Sequence, residues 1–314
     1  MGIYTKPSVQ FIEQINGTEE GFKKHIEKVG RLCYKSADKI TGDSYIGFVD
    51  RMKASKHGAM LEHGTLYLMG HGADAVRLNH RYGDNKFSKI NFNDDGDAYV
   101  TTNYRVVTEN GWEDDLKLLV YPTPYHERRV TVDIVTDRAV THEAVRHRVF
   151  SFAQESQRYV NYIKEKFGGC ITFVAPHWLD LNDIPELFVQ QAEARADAIL
   201  TPHGFWWKVK HLFDKPKRLT DIELYLTSNA VAEKTYLDLV ARGMKQQDAR
   251  IVLPNGTKTE IIMTGFVSDW IHFLNLRSKG TTGAPHPDMK VIADQIKEGM
   301  IDKGYFREEH LGKE

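Results

Sequence analysis

The run Arg129-Val-Thr-Val-Asp-Ile-Val-Thr narrows the fold more than any other part of this chain. Val130, Val132 and Ile134 alternate with Thr131, Asp133 and Val135, the period of two that a half-buried strand requires. Thr136 or Asp137 then offers a side-chain oxygen to cap a helix, and Ala139, Val140, Ala144 and Val145 can supply its inner face. A strand feeding straight into a helix carries Arg146-His147-Arg148 to the helix's far end. The chain must therefore mix sheet and helix.

Similar patterns place the remaining elements. Residues 19–34 repeat Phe22, Ile26, Val29, Leu32 and Cys33 at helical spacing, and 222–240 do the same up to a stop at Gly243. A strand is predicted over 65–69, and mixed helical signals over 102–120 break near Gly111. Residues 246–253 form a short segment ended by Pro254, with Asn255-Gly256 as a turn. The run 259–277 reads as a helix carrying Trp270, Phe273, Leu274 and Arg277 near one side. Polar stretches occur at 83–97 and around 280–287, and the first reads as an exposed loop or insertion. Residues 150–162, polar and aromatic without clean periodicity, read as a loop lining a site.

Composition removes several classes of partner. Hydrophobic residues at 41% and charged residues at 27% are ordinary globular values, and 314 residues can bury a core without staples. Lys plus Arg at 42 against Asp plus Glu at 43 leaves a net charge of -1. That balance gives no general pull toward nucleic acid or an anionic membrane, so any bound anion must be met by clustered arginines. The two cysteines, Cys33 and Cys170, have no metal spacing, and no apolar run approaches the roughly 20 residues of a spanning helix. A soluble protein of the reducing cytoplasm is the expectation.

An arginine cluster does occur, at residues 146–158. Arg146, His147, Arg148, Ser156 and Arg158 stand with Gln154, Glu155 and Gln157. Guanidinium forks grip phosphate oxygens in pairs, and a serine hydroxyl adds a donor. Alone, Arg-His-Arg also suits a charged helix end facing the negative pole of the helix dipole. His57, Glu62 and His63 lack the His-Glu-x-x-His order of a metalloprotease, so no metal site is expected.

Arg-His-Arg, a seven-residue spacer, Ser156, one residue and Arg158-Tyr159 together resemble the signature of the flavin-dependent thymidylate synthases. Three further blocks are similar to segments of that family: His57-Gly-Ala-Met-Leu-Glu62-His63, Ala249-Arg250-Ile-Val-Leu-Pro254 and His272-Phe-Leu-Asn-Leu-Arg277. The resemblance implies methylation of dUMP to dTMP, with FAD reduced by NADPH and 5,10-methylenetetrahydrofolate as carbon donor. By it, Glu143, Gln154, Glu155, Ser156, Gln157, Arg158 and Arg250 bind dUMP, and Arg146 lies between nucleotide and flavin. His57, His147, Arg148, Val149, Gln154 and His272 would contact FAD. Arg277 would be catalytic, touching dUMP and stabilising negative charge on the pyrimidine as N3 loses its proton. An always-charged guanidinium at a developing anion helps the transition state more than the neutral base.

The resemblance also implies an α+β fold of mixed or antiparallel sheet flanked by helices, as one domain over 1–314, in a homotetramer whose subunits share sites. Residues 70–125 and 201–220 look like insertions. Glu143 stands where the family commonly has glutamine, and Ala153-Gln154-Glu155 moves a carboxylate by one position. Phe266-Val267-Ser268 lacks an arginine that contacts FAD, and Gly283-Ala-Pro-His-Pro-Asp288 alters the stretch beyond Arg277. There is no Gly-x-Gly-x-x-Gly, so FAD needs another constellation. A cysteine-dependent thymidylate synthase would need a thiolate nucleophile, yet Cys33 falls in a predicted helix and Cys170 lacks a Pro-Cys-His context. A nucleic-acid-binding module stacking bases on Phe150, Phe152, Tyr159 and Tyr162 is opposed by the charge balance.

Overall fold

The structure, a computed structural model, describes residues 3–158, 162, 170–184 and 220–312. Contacts divide the chain into two compact units interleaved along the sequence. The larger comprises Ser8–Ile134, His142–Glu155 and Glu260–Glu314, and the smaller Met1–Pro7, Val135–Thr141 and Ser156–Thr259. In chain order the strands are β1 (Ile3–Thr5), β2 (Ser8–Phe11), β3 (Thr65–Gly70), β4 (Lys89–Phe92), β5 (Ala98–Asn103), β6 (Arg129–Asp137), β7 (Ser151–Gln154), β8 (Thr172–Val174) and β9 (Lys258–Phe266). The helices are α1 (Glu19–Cys33), α2 (Ser44–Ala54), α3 (Gly58–Leu61), α4 (Ala73–Tyr82), α5 (Tyr104–Asn110) and α6 (Arg138–Ala144), then α7 (Asp221–Ala241), α8 (Gln246–Ala249), α9 (Val267–Leu274) and α10 (Pro287–Asp302). The class is α+β, with an antiparallel three-stranded sheet, a four-stranded sheet and a parallel pair.

In the larger unit, α1 forms where its apolar spacing predicts. The Thr18 hydroxyl accepts from the Gly21 N–H at 3.1 Å, and Glu19 and Glu20 sit in the first turn, favoured by the helix dipole. Phe22, Ile26 and Val29 are buried in a core shared with Leu66, Leu68 and Val100. Strand β3 pairs with β5 from Thr65↔Asn103 to Gly70↔Ala98, and β4 pairs with the other edge of β5. Residues 83–97, expected as a loop, therefore contain a strand. Their polar composition misled because β4 is an exposed edge, where little apolar surface is needed and pairing rests on the backbone.

Helix α4 is pinned to the 3-10 turn Glu113–Leu118 through Asp115, which is wholly buried. Asp115 accepts from Arg77 Nε at 3.0 Å, Arg81 Nη1 at 2.8 Å and the Tyr82 hydroxyl at 3.0 Å. A buried carboxylate persists only where such donors replace its water. The expanded stretch 70–125 thus supplies helices and most of the three-stranded sheet. The other, at 201–220, lies outside the described residues apart from Thr220.

The four-stranded sheet has the order β2-β6-β9-β7. Two sequence expectations are corrected here. Residues 259–277 are not one helix: they begin within β9 and reach α9 only at Val267. Thr259, Ile261, Ile262 and Thr264 are β-branched and suit a strand, and the Asp269 carboxylate, accepting from the Phe266 N–H at 3.2 Å, marks the helix start. Residues 150–162 are not all loop either, since β7 pairs antiparallel with β9 from Ser151↔Thr264 to Gln154↔Ile261.

Inside the larger unit the side chains of four residues form a buried chain. His25 Nε2 lies 3.1 Å from the Thr131 hydroxyl, Thr131 lies 2.8 Å from Thr264, and Thr264 lies 2.8 Å from His63 Nδ1. Three bonds need three donors, and two hydroxyls plus one imidazole N–H supply them, so the chain is satisfied with both rings neutral.

In the smaller unit, β1 and β8 pair in parallel from Ile3↔Thr172 to Thr5↔Val174. Helix α7 opens on a capping box between Thr220 and Glu223 and buries Tyr236 and Leu237 against Tyr162, Ile171, Phe173 and Ala249. Among the described residues no helix is long and apolar enough to cross a membrane.

Candidate functional site

The helix α6 is capped as expected: the Asp137 carboxylate accepts from the Val140 N–H at 2.8 Å, and Val140 and Ala144 are buried. Ala139 and Val145, expected on the inner face, are exposed. Three successive turns then lead into β7, through Arg146 N–H to Glu143 O, His147 N–H to Ala144 O and Phe150 N–H to His147 O. Within them Arg146, Arg148 and Val149 face solvent, while His147 turns inward.

Across from this segment, α9 runs into a π-helical turn, Asn275–Lys279, which carries Arg277 and is closed by Gly280 in the left-handed conformation at φ 70°. Such turns redirect side chains that a regular helix would space differently. Arg277 Nε donates to His147 Nε2 at 3.1 Å, and its Nη1 donates to the Glu143 carboxylate at 2.9 Å. Burial, then Arg277 and His272, push the His147 pKa down to about 4. The ring is thus neutral at physiological pH, accepts at Nε2 and carries its proton on Nδ1.

An aromatic cluster fixes that ring. Phe273 meets His147 edge-on at 4.8 Å, and Phe150 meets Trp270 at 4.5 Å. Trp270 Nε1 donates to the Val130 carbonyl at 3.2 Å, which ties the cluster to β6. Gly265 makes room for Phe150, because a Cβ there would stand 2.5 Å from two ring carbons. Gly265→Ala is expected to cost about 1–3 kcal/mol, as overpacked cores do. A thermal melt within about 0.5 kcal/mol of the parent would contradict that packing.

Glu155 is not presented to the surface. It is buried, with Lys35 Nζ at 3.4 Å, and the same ammonium lies 2.5 Å from Glu260. Burial opposes the charge on Lys35, but the two carboxylates outweigh it and hold its pKa above the ordinary value. Lys35 itself stands at a left-handed φ of 46°. Nothing in the sequence marked it, since its partners are distant along the chain. Gln154, the last residue of β7, is half-buried.

The remaining sequence candidates are distributed as follows. In the larger unit, His57 and His272 are exposed, and neither has a hydrogen bond or ring contact with Glu143 or Arg277; His272 acts on His147 through charge alone. His63 is fully buried in the histidine–threonine chain. In the smaller unit, Arg158 is exposed and its N–H lies 3.3 Å from the Ser156 hydroxyl, while Gln157 is buried. Arg250 is half-exposed, with Nε donating to the Gln247 carbonyl at 3.1 Å. The larger unit thus brings Glu143, His147 and Arg277 together. The side chains of Arg146 and Arg148 make no hydrogen bond or ion pair among the described residues, so both guanidiniums are available to an anion. The cysteines are poor nucleophiles: both are buried, and burial pushes the Cys33 thiol up to about 11.

The comparisons with known proteins bear on this segment directly. The family model described as thymidylate synthase complementing protein matches residues 108–303, a span that includes every candidate except His57. A protein of Paramecium bursaria Chlorella virus 1, "Probable flavin-dependent thymidylate synthase", is 27% identical over 167 residues, covering 53% of this chain and 65% of the relative. The "Flavin-dependent thymidylate synthase" of Mycobacterium avium is 34% identical over 154 residues, 49% of each chain. The chain therefore spans about half to two-thirds of the length of these curated relatives. A solved thymidylate synthase from Helicobacter pylori, with FAD and dUMP, matches at 14% identity and a TM-score of 0.41, covering 98% of this chain and 100% of that one, a likeness too loose to carry residues across. On the matched span, the chain belongs to the thymidylate synthase complementing protein family.

Proposed function

We propose that this chain is a flavin-dependent thymidylate synthase, converting dUMP to dTMP with 5,10-methylenetetrahydrofolate as carbon donor and FAD reduced by NADPH. The observation that carries the reading is the Arg277 guanidinium held by His147 and Glu143, whose segment also carries the exposed Arg146 and Arg148. The names of the curated relatives support it. In this reading Arg277 meets the pyrimidine and offsets the negative charge that develops as N3 loses its proton. Ser156, Gln157, Arg158 and Arg250 bind the nucleotide, the arginines by forked contacts to its phosphate. Gln154 completes the set, Glu143 acts at the nucleotide through its bond to Arg277, and Glu155, paired with Lys35, supports the end of β7.

The residues fit a flavin nucleotide. Two guanidiniums without a partner among the described residues, Arg146 and Arg148, suit a pyrophosphate, and the exposed Val149 offers apolar surface to a ring. His57, His147, Gln154 and His272 complete the flavin contacts in this reading. Bound flavin supplies the hydride, while the chain supplies position and charge. The working form we propose is a cytoplasmic homotetramer without nucleic-acid or membrane partners. The purified protein, given FAD, is expected to turn yellow, to bleach with NADPH, and to form dTMP only when dUMP and methylenetetrahydrofolate are both present. Failure to take up FAD, or dTMP formation independent of flavin, would overturn the reading.

A further inference from the structure

Arg277 is gripped by two groups of different character. His147 is a neutral acceptor at 3.1 Å, and Glu143 is a carboxylate at 2.9 Å. Glu143 lies in the last turn of α6 and His147 in the turns just beyond it, and they reach the same guanidinium on Nη1 and Nε. Phe273, edge-on to the imidazole, keeps the His147 acceptor from swinging away. Glu143 and Arg277 are each about one-quarter exposed, so water reaches the pair and the bond can be exchanged for another.

We propose that His147 and Glu143 are positioning residues for Arg277. His147 sets the direction of the guanidinium, and the Glu143 carboxylate holds it while cancelling part of its positive field, so that an incoming nucleotide competes with Glu143 for the same fork. This rests on the reading of the chain as a dUMP-methylating enzyme. A glutamine at 143 would keep an acceptor oxygen for Nη1 and remove the negative charge that opposes both the phosphate and the pyrimidine anion. A phenylalanine at 147 would keep the aromatic packing and remove the acceptor.

The test is dUMP binding by calorimetry on the FAD-loaded protein, followed by steady-state methylation. Glu143→Gln is expected to bind dUMP about tenfold more tightly and to lower KM for dUMP by a similar factor. Glu143→Ala and His147→Phe are expected to lower kcat about tenfold, with His147→Gln recovering most of the loss. The inference is overturned if Glu143→Gln binds dUMP no more tightly than the parent, or if His147→Phe turns over as fast as the parent. A parent protein that binds no dUMP overturns the functional reading itself, and this inference with it.

Discussion

Arg277→Ala is expected to lower dTMP formation by about 10²–10³-fold while the protein still takes up flavin and still accepts electrons from NADPH. The magnitude follows from what is removed. Arg277 offers a permanent positive charge and a planar pair of donors, and in the proposed reaction both act on charge that exists only once the pyrimidine is losing its proton. Flavin uptake is spared because Arg146 and Arg148 leave the chain on a different segment and share no hydrogen bond with Arg277. Truncation also leaves the Glu143 carboxylate without its partner, but that carboxylate is 27% exposed and water can replace the lost donor, so the fold should survive. Arg277→Lys keeps the charge and loses the fork, and is expected to fall between, at about tenfold below the parent. Stopped-flow absorbance separates the steps, since bleaching by NADPH should be unchanged and reoxidation with dUMP and methylenetetrahydrofolate should be slow. Turnover of Arg277→Ala within about threefold of the parent would remove Arg277 from the chemistry.

Much of the scaffold that holds Arg277 was legible in the sequence. The alternation of Val130, Val132 and Ile134 gave β6, Asp137 marked the start of α6, and Phe22, Ile26 and Val29 gave α1, because burial on one face leaves a period that needs no knowledge of the partner. The strands β4, β7 and β9 were missed for a common reason. Each is short or edge-like, or is buried on both faces with no alternation, and its identity is fixed by the strand it pairs with. The site divides the same way. The Arg146–Arg158 window is recognisable as a string, but Glu155 and Ser156 fall in different compact units, a division no local pattern signals. The clamp of Glu143 and His147 on Arg277, and the burial of Glu155 against Lys35, join residues far apart in sequence and depend on a π turn and a left-handed lysine.

Stability should fall steeply as the protein is taken from pH 7 to pH 5, and the cause should lie with His25 and His63. Both are buried, and burial pushes each pKa down to about 3, helped by Lys28 and Arg129 at His25 and by His25 and Arg129 at His63. The folded pKa values lie below the unfolded value of about 6.5, so between about pH 6.5 and 3 the unfolded chain binds more protons. Their contribution is complete above about pH 6.5 and is lost as the pH drops through that window, at up to about 1.4 kcal/mol per pH unit for each ring. At pH 5 the two together amount to roughly 4 kcal/mol, a large share of the 5–15 kcal/mol typical of a folded domain. The hydrogen-bond chain explains why the folded state resists the proton. With both rings protonated, His25 and His63 would each point a donor inward, and with two hydroxyl protons there would be four donors for three bonds. His147, whose folded pKa is about 4, and His126, also lowered by burial, act in the same direction. The lowered carboxylates Asp97, Asp114 and Asp294 add their losses only near and below their ordinary range around pH 4, so the upper part of the window belongs to the histidines. Urea midpoints measured across pH 7 to 5 read the effect. His63→Gln lowers stability at pH 7 but removes one titrating ring, so its slope against pH should be shallower by up to about 1.4 kcal/mol per pH unit. A slope identical to the parent's would place the acid sensitivity elsewhere.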